Sequence, residues 1–323
     1  MNLSTTLCLI VSLGVIDGYI VTTVTDPLEH SECPMWDNLT NRLYFVDIHK
    51  GGIYYFSPDN KKTNHINLVG TVAPVLPTTS STKKFIVGLN RTVSAVEWDG
   101  ESNTYDLEVL TTVARDYPMS RTNDGKADLN GRLYIGTMGY EDTRGSLNYN
   151  QGALYEITAA NLEDPDVLLS PVNVSNGMAW NKANDKLYYI DTPTRQIREF
   201  NYDADTGAIS FSRVAFDLEA NGVTGNPDGM TIDTDDNLWI ALYSGGAVIK
   251  VNSVTGEWLE SVDIPAERVT SVAFGGDKLD ILFVTSSRYG LTEDEIKQQP
   301  LAGSVFAVFG LEARGFPASR VKY

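Results

Sequence analysis

Histidine and cysteine are nearly missing from this 323-residue chain, which has three histidines (His30, His49 and His65) and two cysteines (Cys8 and Cys33). All three histidines fall at or before position 65, and no Gly-x-Ser-x-Gly turn occurs, so a hydroxyl or thiol nucleophile activated by histidine has little to draw on. His-Glu-x-x-His and Cys-x-x-Cys zinc patterns are missing as well. A disulfide framework is excluded, and the fold must be held by its core. Cys33, directly after Glu32, reads as a small buried apolar residue.

Positive charge is also scarce. The balance of 25 basic against 42 acidic residues gives a formal charge of −17, which opposes general attraction to nucleic acid or to an anionic membrane. Acidity of this kind solubilises a surface and, near a group of carboxylates, favours capture of a cation. Long apolar runs are confined to Leu7–Ile16, of the length of a secretory h-region, although no Lys or Arg precedes it. The expectation is a signal peptide over 1–18, a secreted protein and one domain over 19–323; the alternatives are an uncleaved N-terminal strand and a cytoplasmic protein. The sequons at Asn38, Asn90 and Asn173 suit secretion. No later segment is apolar enough for a membrane span, and no feature points to a protein partner.

Long Ala/Leu/Glu/Lys helical runs are lacking, while 27 glycines, 16 tyrosines and repeated Thr and Val suit short strands joined by tight turns. One phrase recurs: a turn with Asn, Asp or Gly, a short strand of alternating apolar residues, a polar turn and a second strand. It appears at 41–56, 185–202 and 237–251, with further versions beginning at Lys84, Gly131 and Leu279. Six copies with several strands each, spaced by roughly 40 to 55 residues, predict an all-β, six-bladed β-propeller. A β-sandwich or two separate β domains is the competing architecture. Asp203–Gly207 and Asn252–Gly256 carry hairpin-turn chemistry, and Glu293–Gln298 is the one helical stretch expected.

Four separated stretches place oxygen-bearing side chains beside Gly, Pro or Trp: Ser-Glu32-Cys-Pro-Met-Trp, Arg121-Thr-Asn123-Asp-Gly-Lys, Ser-Asn176-Gly-Met-Ala-Trp and Pro-Asp228-Gly-Met. A propeller brings the starts of its innermost strands to one channel, so these can meet. Hard oxygens of carboxylates and amides suit one divalent cation.

Read with the repeat, these stretches resemble the family containing regucalcin (senescence marker protein), gluconolactonases and the luciferin-regenerating enzyme. Gly136-Thr-Met138 and Ser271-Val-Ala-Phe-Gly-Gly276 complete the match, which runs over essentially everything after residue 19. The resemblance implies a six-bladed propeller with a central metal held by Glu32, Asn176 and Asp228. Ca²⁺ comes first, with Zn²⁺, Mn²⁺ and Mg²⁺ open. It implies substrate contacts from Arg121, Asn123 and Glu141, and proton transfer assisted by Asp228. The activity it implies is metal-dependent hydrolysis of a small lactone, an aldonolactone before others. The alternatives are a secreted calcium- or small-molecule-binding propeller without efficient turnover, and an activity like luciferin regeneration. Many relatives carry glycine on both sides of the first glutamate. Here Ser31 and Cys33 stand there, so a backbone less free to take positive φ is expected.

Overall fold

The computed structural model describes residues 12–16, 18–142 and 145–323, with side chains from residue 18 onward. The described strands form six antiparallel sheets arranged as the blades of a β-propeller, five of four strands and one of five. Blade one runs Ser31–Asp37, Arg42–Asp47, Gly52–Ser57 and Lys62–Asn67 from the axis outward. The innermost strands of blades two to six are Val72–Pro77, Arg121–Ala127, Ser175–Trp180, Asn226–Ile232 and Val269–Gly275. All six repeats read from the sequence are second strands of blades, at Arg42–Asp47, Lys84–Leu89, Leu133–Met138, Lys186–Asp191, Asn237–Tyr243 and Ile281–Ser286.

The ring closes by strand exchange between the two ends of the chain. Blade six is built from Val269–Gly275, Ile281–Ser286 and Phe306–Phe309, and then from Tyr19–Thr23, whose register pairs Ile20 with Phe309 and Thr23 with Phe306. Ser12–Ile16 lies beyond it as a fifth strand. The remainder of the apolar run 7–16, together with Cys8, lies outside the described residues.

Alternation along each strand gives two apolar faces per sheet. The buried residues accordingly separate into six apolar clusters, one in each gap between neighbouring blades. Trp36 of blade one, for example, stacks on Phe283 of blade six with ring centroids 5.6 Å apart.

Polar punctuation repeats with the blades. Asp37 ends its innermost strand, Asp128 and Asp233 directly follow theirs, and each accepts the backbone N–H two residues on, at 3.3, 2.9 and 3.0 Å. Asn181 occupies the same position in blade four and accepts from Lys186 N at 3.0 Å. The two anticipated hairpins close at Gly207 and Gly256, with φ of +81° and +71°. Glu293–Gln298 is helical, and Thr292 and Glu295 cap one another reciprocally at its start.

The C-terminal segment returns to blades one and two. Arg320 grips Asp37 through two hydrogen bonds of 3.1 and 2.6 Å and donates to Thr78 O at 2.6 Å. Both partners are largely buried. Arg320→Ala strands the Asp37 carboxylate, so urea denaturation is expected to show a loss of about 3 kcal/mol; an unchanged midpoint would contradict this role.

Candidate metal and substrate site

Glu32, Arg121, Asn176 and Asp228 are the second, first, second and third residues of their innermost strands, so the propeller delivers all four to one end of the channel. The approach to each strand is anchored by a neighbour. Asp47, which ends the second strand of blade one, accepts Glu29 N at 3.0 Å and His30 N at 3.2 Å, and so holds the segment leading into Glu32. Asp191 ends the second strand of blade four and accepts Val174 N at 3.0 Å, ahead of Asn176. Arg195 reaches Gly225 O and donates to Val223 O at 2.7 Å, fixing the turn before Asp228.

Glycine lets the strands converge. A Cβ on Gly229 would overlap Ser271 Oγ of blade six, and one on Gly177 would meet the backbone at Asp228 and Met230. The Asn-Gly and Asp-Gly pairs of the sequence thus combine an oxygen ligand with the small residue that lets the next blade approach.

Glu32, Asn176 and Asp228 are 5%, 4% and 7% exposed. Asn176 lies beside the Asp228 carboxyl and favours its ionised form, and its Nδ2 donates to Thr192 Oγ1 at 2.9 Å. Thr192 in turn donates to Pro227 O at 2.9 Å, so this hydroxyl ties blade four to blade five beside the cluster. Burial, reinforced by Asp124, pushes the Glu32 carboxyl up to about 8. Burial, reinforced by Glu32 and then Asp124, holds Asp228 well above the usual carboxylate range.

The donor set fits a divalent cation. Asn176 Oδ1 is buried and accepts no hydrogen bond, and it sits beside two carboxyl groups whose ionised forms burial disfavours. A cation supplies the missing partner of the amide oxygen and the missing counter-charge together. Among the described residues, no three His, Cys, Asp or Glu side chains group closely enough to hold a metal by themselves. An oxygen set here must therefore include the amide.

Cys33 is buried, and burial raises its thiol well above the ordinary value, in keeping with an inert packing residue. Its backbone departs from expectation: Cys33 adopts φ of +50° despite its side chain. The conformation is held because Cys33 N donates to the Glu32 carboxylate while Sγ lies 3.6 Å from Asn123 O and 3.7 Å from Asp124 Oδ1.

Arg121 is aimed inward. Its Nη1 donates to Asn123 Oδ1 at 2.6 Å and to Thr122 O at 3.0 Å, and Asn123 Nδ2 donates to Ser175 O at 3.0 Å. Burial lowers the Arg121 guanidinium, and Glu141 is the largest opposing influence on it. Glu141 is itself exposed, on the loop 140–150, where it bridges to Leu147. It therefore faces the mouth from outside, unlike the buried trio.

The sequence reading missed a second group at this mouth. His49 stacks on Tyr289 with centroids 3.7 Å apart, and His30 packs edge-on to His49 at 5.2 Å. Arg268 donates to Tyr289 O and lies over the Tyr243 ring, with its centre 5.6 Å from the centroid. Burial, followed by the charge of Arg121, lowers His49 to about 4, so this platform is neutral at physiological pH. These residues sit on separate connecting segments with no shared pattern; the only sequence signal was the position of His30, two residues before Glu32.

Comparison with known proteins bears on the family and the fold. Residues 30–288 match the family model described as the SMP-30/Gluconolactonase/LRE-like region. Regucalcin of Xenopus laevis is 33% identical over 294 residues, spanning 90% of this chain and 94% of its own. The solved luciferin-regenerating enzyme superposes with a TM-score of 0.89 at 35% identity, covering 95% of this chain and all of that one. A calcium-binding regucalcin from Agrobacterium tumefaciens gives a TM-score of 0.83 at 22% identity over 93% of this chain and 97% of its own, a likeness of fold.

Proposed function

The chain belongs to the SMP-30/gluconolactonase/LRE-like family, and from that membership together with the channel geometry we propose that it is a divalent-metal-dependent hydrolase of small lactones. The observation that carries the reading is the unpartnered, buried Asn176 Oδ1 beside Glu32 and Asp228. These three side chains hold the ion, with Ca²⁺ first and Zn²⁺, Mn²⁺ and Mg²⁺ as the other candidates. When bound, such an ion supplies Lewis acidity to the lactone carbonyl and charge for the developing oxyanion.

The chain's own residues do the rest. Arg121 and Asn123 offer a guanidinium and an amide to the hydroxyls of an aldonolactone, and Glu141 offers an acceptor from the loop above them. Water adds to the carbonyl carbon, the ring C–O bond breaks, and a hydroxy acid leaves. Asp228 takes the proton of the attacking water and returns it to the ring oxygen. The buried walls of the channel exclude bulk water from this exchange.

The deciding experiment is turnover of aldonolactones by purified protein with and without chelator. Chelator-sensitive activity restored by added divalent ion is expected; turnover indifferent to chelator would overturn the proposal. The exposed position of Glu141 favours a second reading, a secreted propeller that binds calcium or a small molecule without efficient turnover, and tight metal binding with no lactone opening would select it. The His49–Tyr289 platform is a reason to include aryl esters and nitriles in the screen for an activity like luciferin regeneration, because stacked rings offer a face to a planar substrate.

Thr192→Val removes the hydroxyl that orients the Asn176 amide while keeping its volume. Metal affinity is expected to fall about tenfold, as for other partners that hold a ligand in place. Calcium titration calorimetry measures it, and unaltered affinity would deny Thr192 this role.

A further inference from the structure

The strands that carry the site near their starts line a cavity of about 320 Å³ towards their ends. Its walls include Trp36, Leu76, Trp180, Ile232, Phe274 and Phe316, the last supplied by the returning C-terminal segment. This volume lies at the lower end of the range of small-molecule pockets, and the apolar wall is of the kind such pockets use.

Asp124, buried, and Lys126, half-buried, line it, both from the strand that also carries Arg121 and Asn123. Asp124 is 3% exposed, and the hydrogen bonds it accepts fall on Oδ1, from Gly125 N at 2.7 Å and from Cys33 Sγ at 3.7 Å. Lys126 Nζ makes one hydrogen bond, to Met230 O at 2.5 Å, leaving two of its three N–H donors unspent. An ammonium with spare donors and a carboxylate oxygen beside it offer a donor and an acceptor together within one mostly apolar cavity, as small-molecule pockets do.

We propose that this cavity binds a small planar ring compound carrying an anionic or carbonyl oxygen beside a hydroxyl, at a site separate from the channel mouth. The ring lies among Trp36, Phe274 and Phe316, its oxygen accepts from Lys126, and its hydroxyl donates to Asp124 Oδ2. Salicylate, with a carboxylate beside a phenol, is the probe that matches this arrangement.

Calorimetric titration of the full chain with salicylate tests the assignment. One saturable site is expected, with benzoate, which lacks the hydroxyl, binding about tenfold more weakly. Ala318→Trp plugs the rim from an exposed position of the C-terminal segment, where folding is not at stake, and is expected to abolish binding. Lys126→Met is expected to weaken it at least tenfold in protein of unchanged circular dichroism. Aldonolactone, which addresses the mouth, is expected to leave salicylate affinity unchanged. The proposal is overturned by no saturable binding, by binding that survives Ala318→Trp, or by competition from aldonolactone. Loss of the lactonase reading alone would leave each of these outcomes readable.

Discussion

Asp228→Asn protein is expected to lose lactone turnover by about a thousandfold, the scale on which catalysis responds when one group acting on the reacting atoms is removed. The amide keeps the size and an oxygen ligand of Asp228 but cannot accept a proton. Calcium titration should therefore show that the ion still binds, more weakly for the lost charge, while saturating calcium fails to restore the rate. Asp228→Ala removes both properties and cannot separate them, so the asparagine variant is the informative one. If it turns over substrate at the parent rate with metal bound, Asp228 has no part in proton transfer and acts as a ligand only.

The second large effect concerns pH. Glu32 is pushed up to about 8 in the folded, metal-free protein, from an ordinary value of 4.5, and Asp228 is raised in the same direction. Across that window the folded state retains protons that the unfolded chain has released. The contribution of these carboxyls to metal-free stability must then fall as pH rises from about 4.5 to about 8, by up to about 1.4 kcal/mol per pH unit for Glu32. His30 and His49, lowered by burial, contribute in the opposite sense below about pH 6.5 in both metal-free and metal-bound protein. The carboxyl trend is opposite in sign to that of a carboxylate held in a salt bridge. A bound cation reverses it, since only ionised ligands hold the ion and affinity climbs over the same range. Thermal melts in chelator and in excess calcium should diverge as pH increases, with the calcium curve higher; parallel curves would show that these carboxyls do not receive the ion.

Much of this was readable in advance where local chemistry repeats. Leu-Tyr-Phe-Val-Asp at 43–47 and Leu-Tyr-Tyr-Ile-Asp at 187–191 alternate as strands must, and the aspartate closing each is the residue that secures the approach to Glu32 or to Asn176. That Glu32, Asn176 and Asp228 lie near the starts of innermost strands, at one end of the channel, was legible because each sits in a short motif at an equivalent place in its repeat. His30, His49 and Tyr289 were not, since they meet only through the closure of blade one against blade six. The positive φ of Cys33 went against the expectation for a residue with a side chain, because contacts from blade three, remote in sequence, hold it there. Asp124 and Lys126 carry no role that their motif alone assigns; the burial of Asp124 and the spare donors of Lys126 became visible only with the channel around them.

The pairing of Tyr19–Thr23 with Phe306–Phe309 has a consequence for biogenesis. A ribosome must deliver nearly the entire polypeptide before the partner of Tyr19–Thr23 emerges, so the first five blades can assemble while this early segment waits with an unmatched, aggregation-prone edge. Final locking is then a post-translational event, and a nascent chain cut short before Phe306 lacks the latch whatever the quality of its other blades.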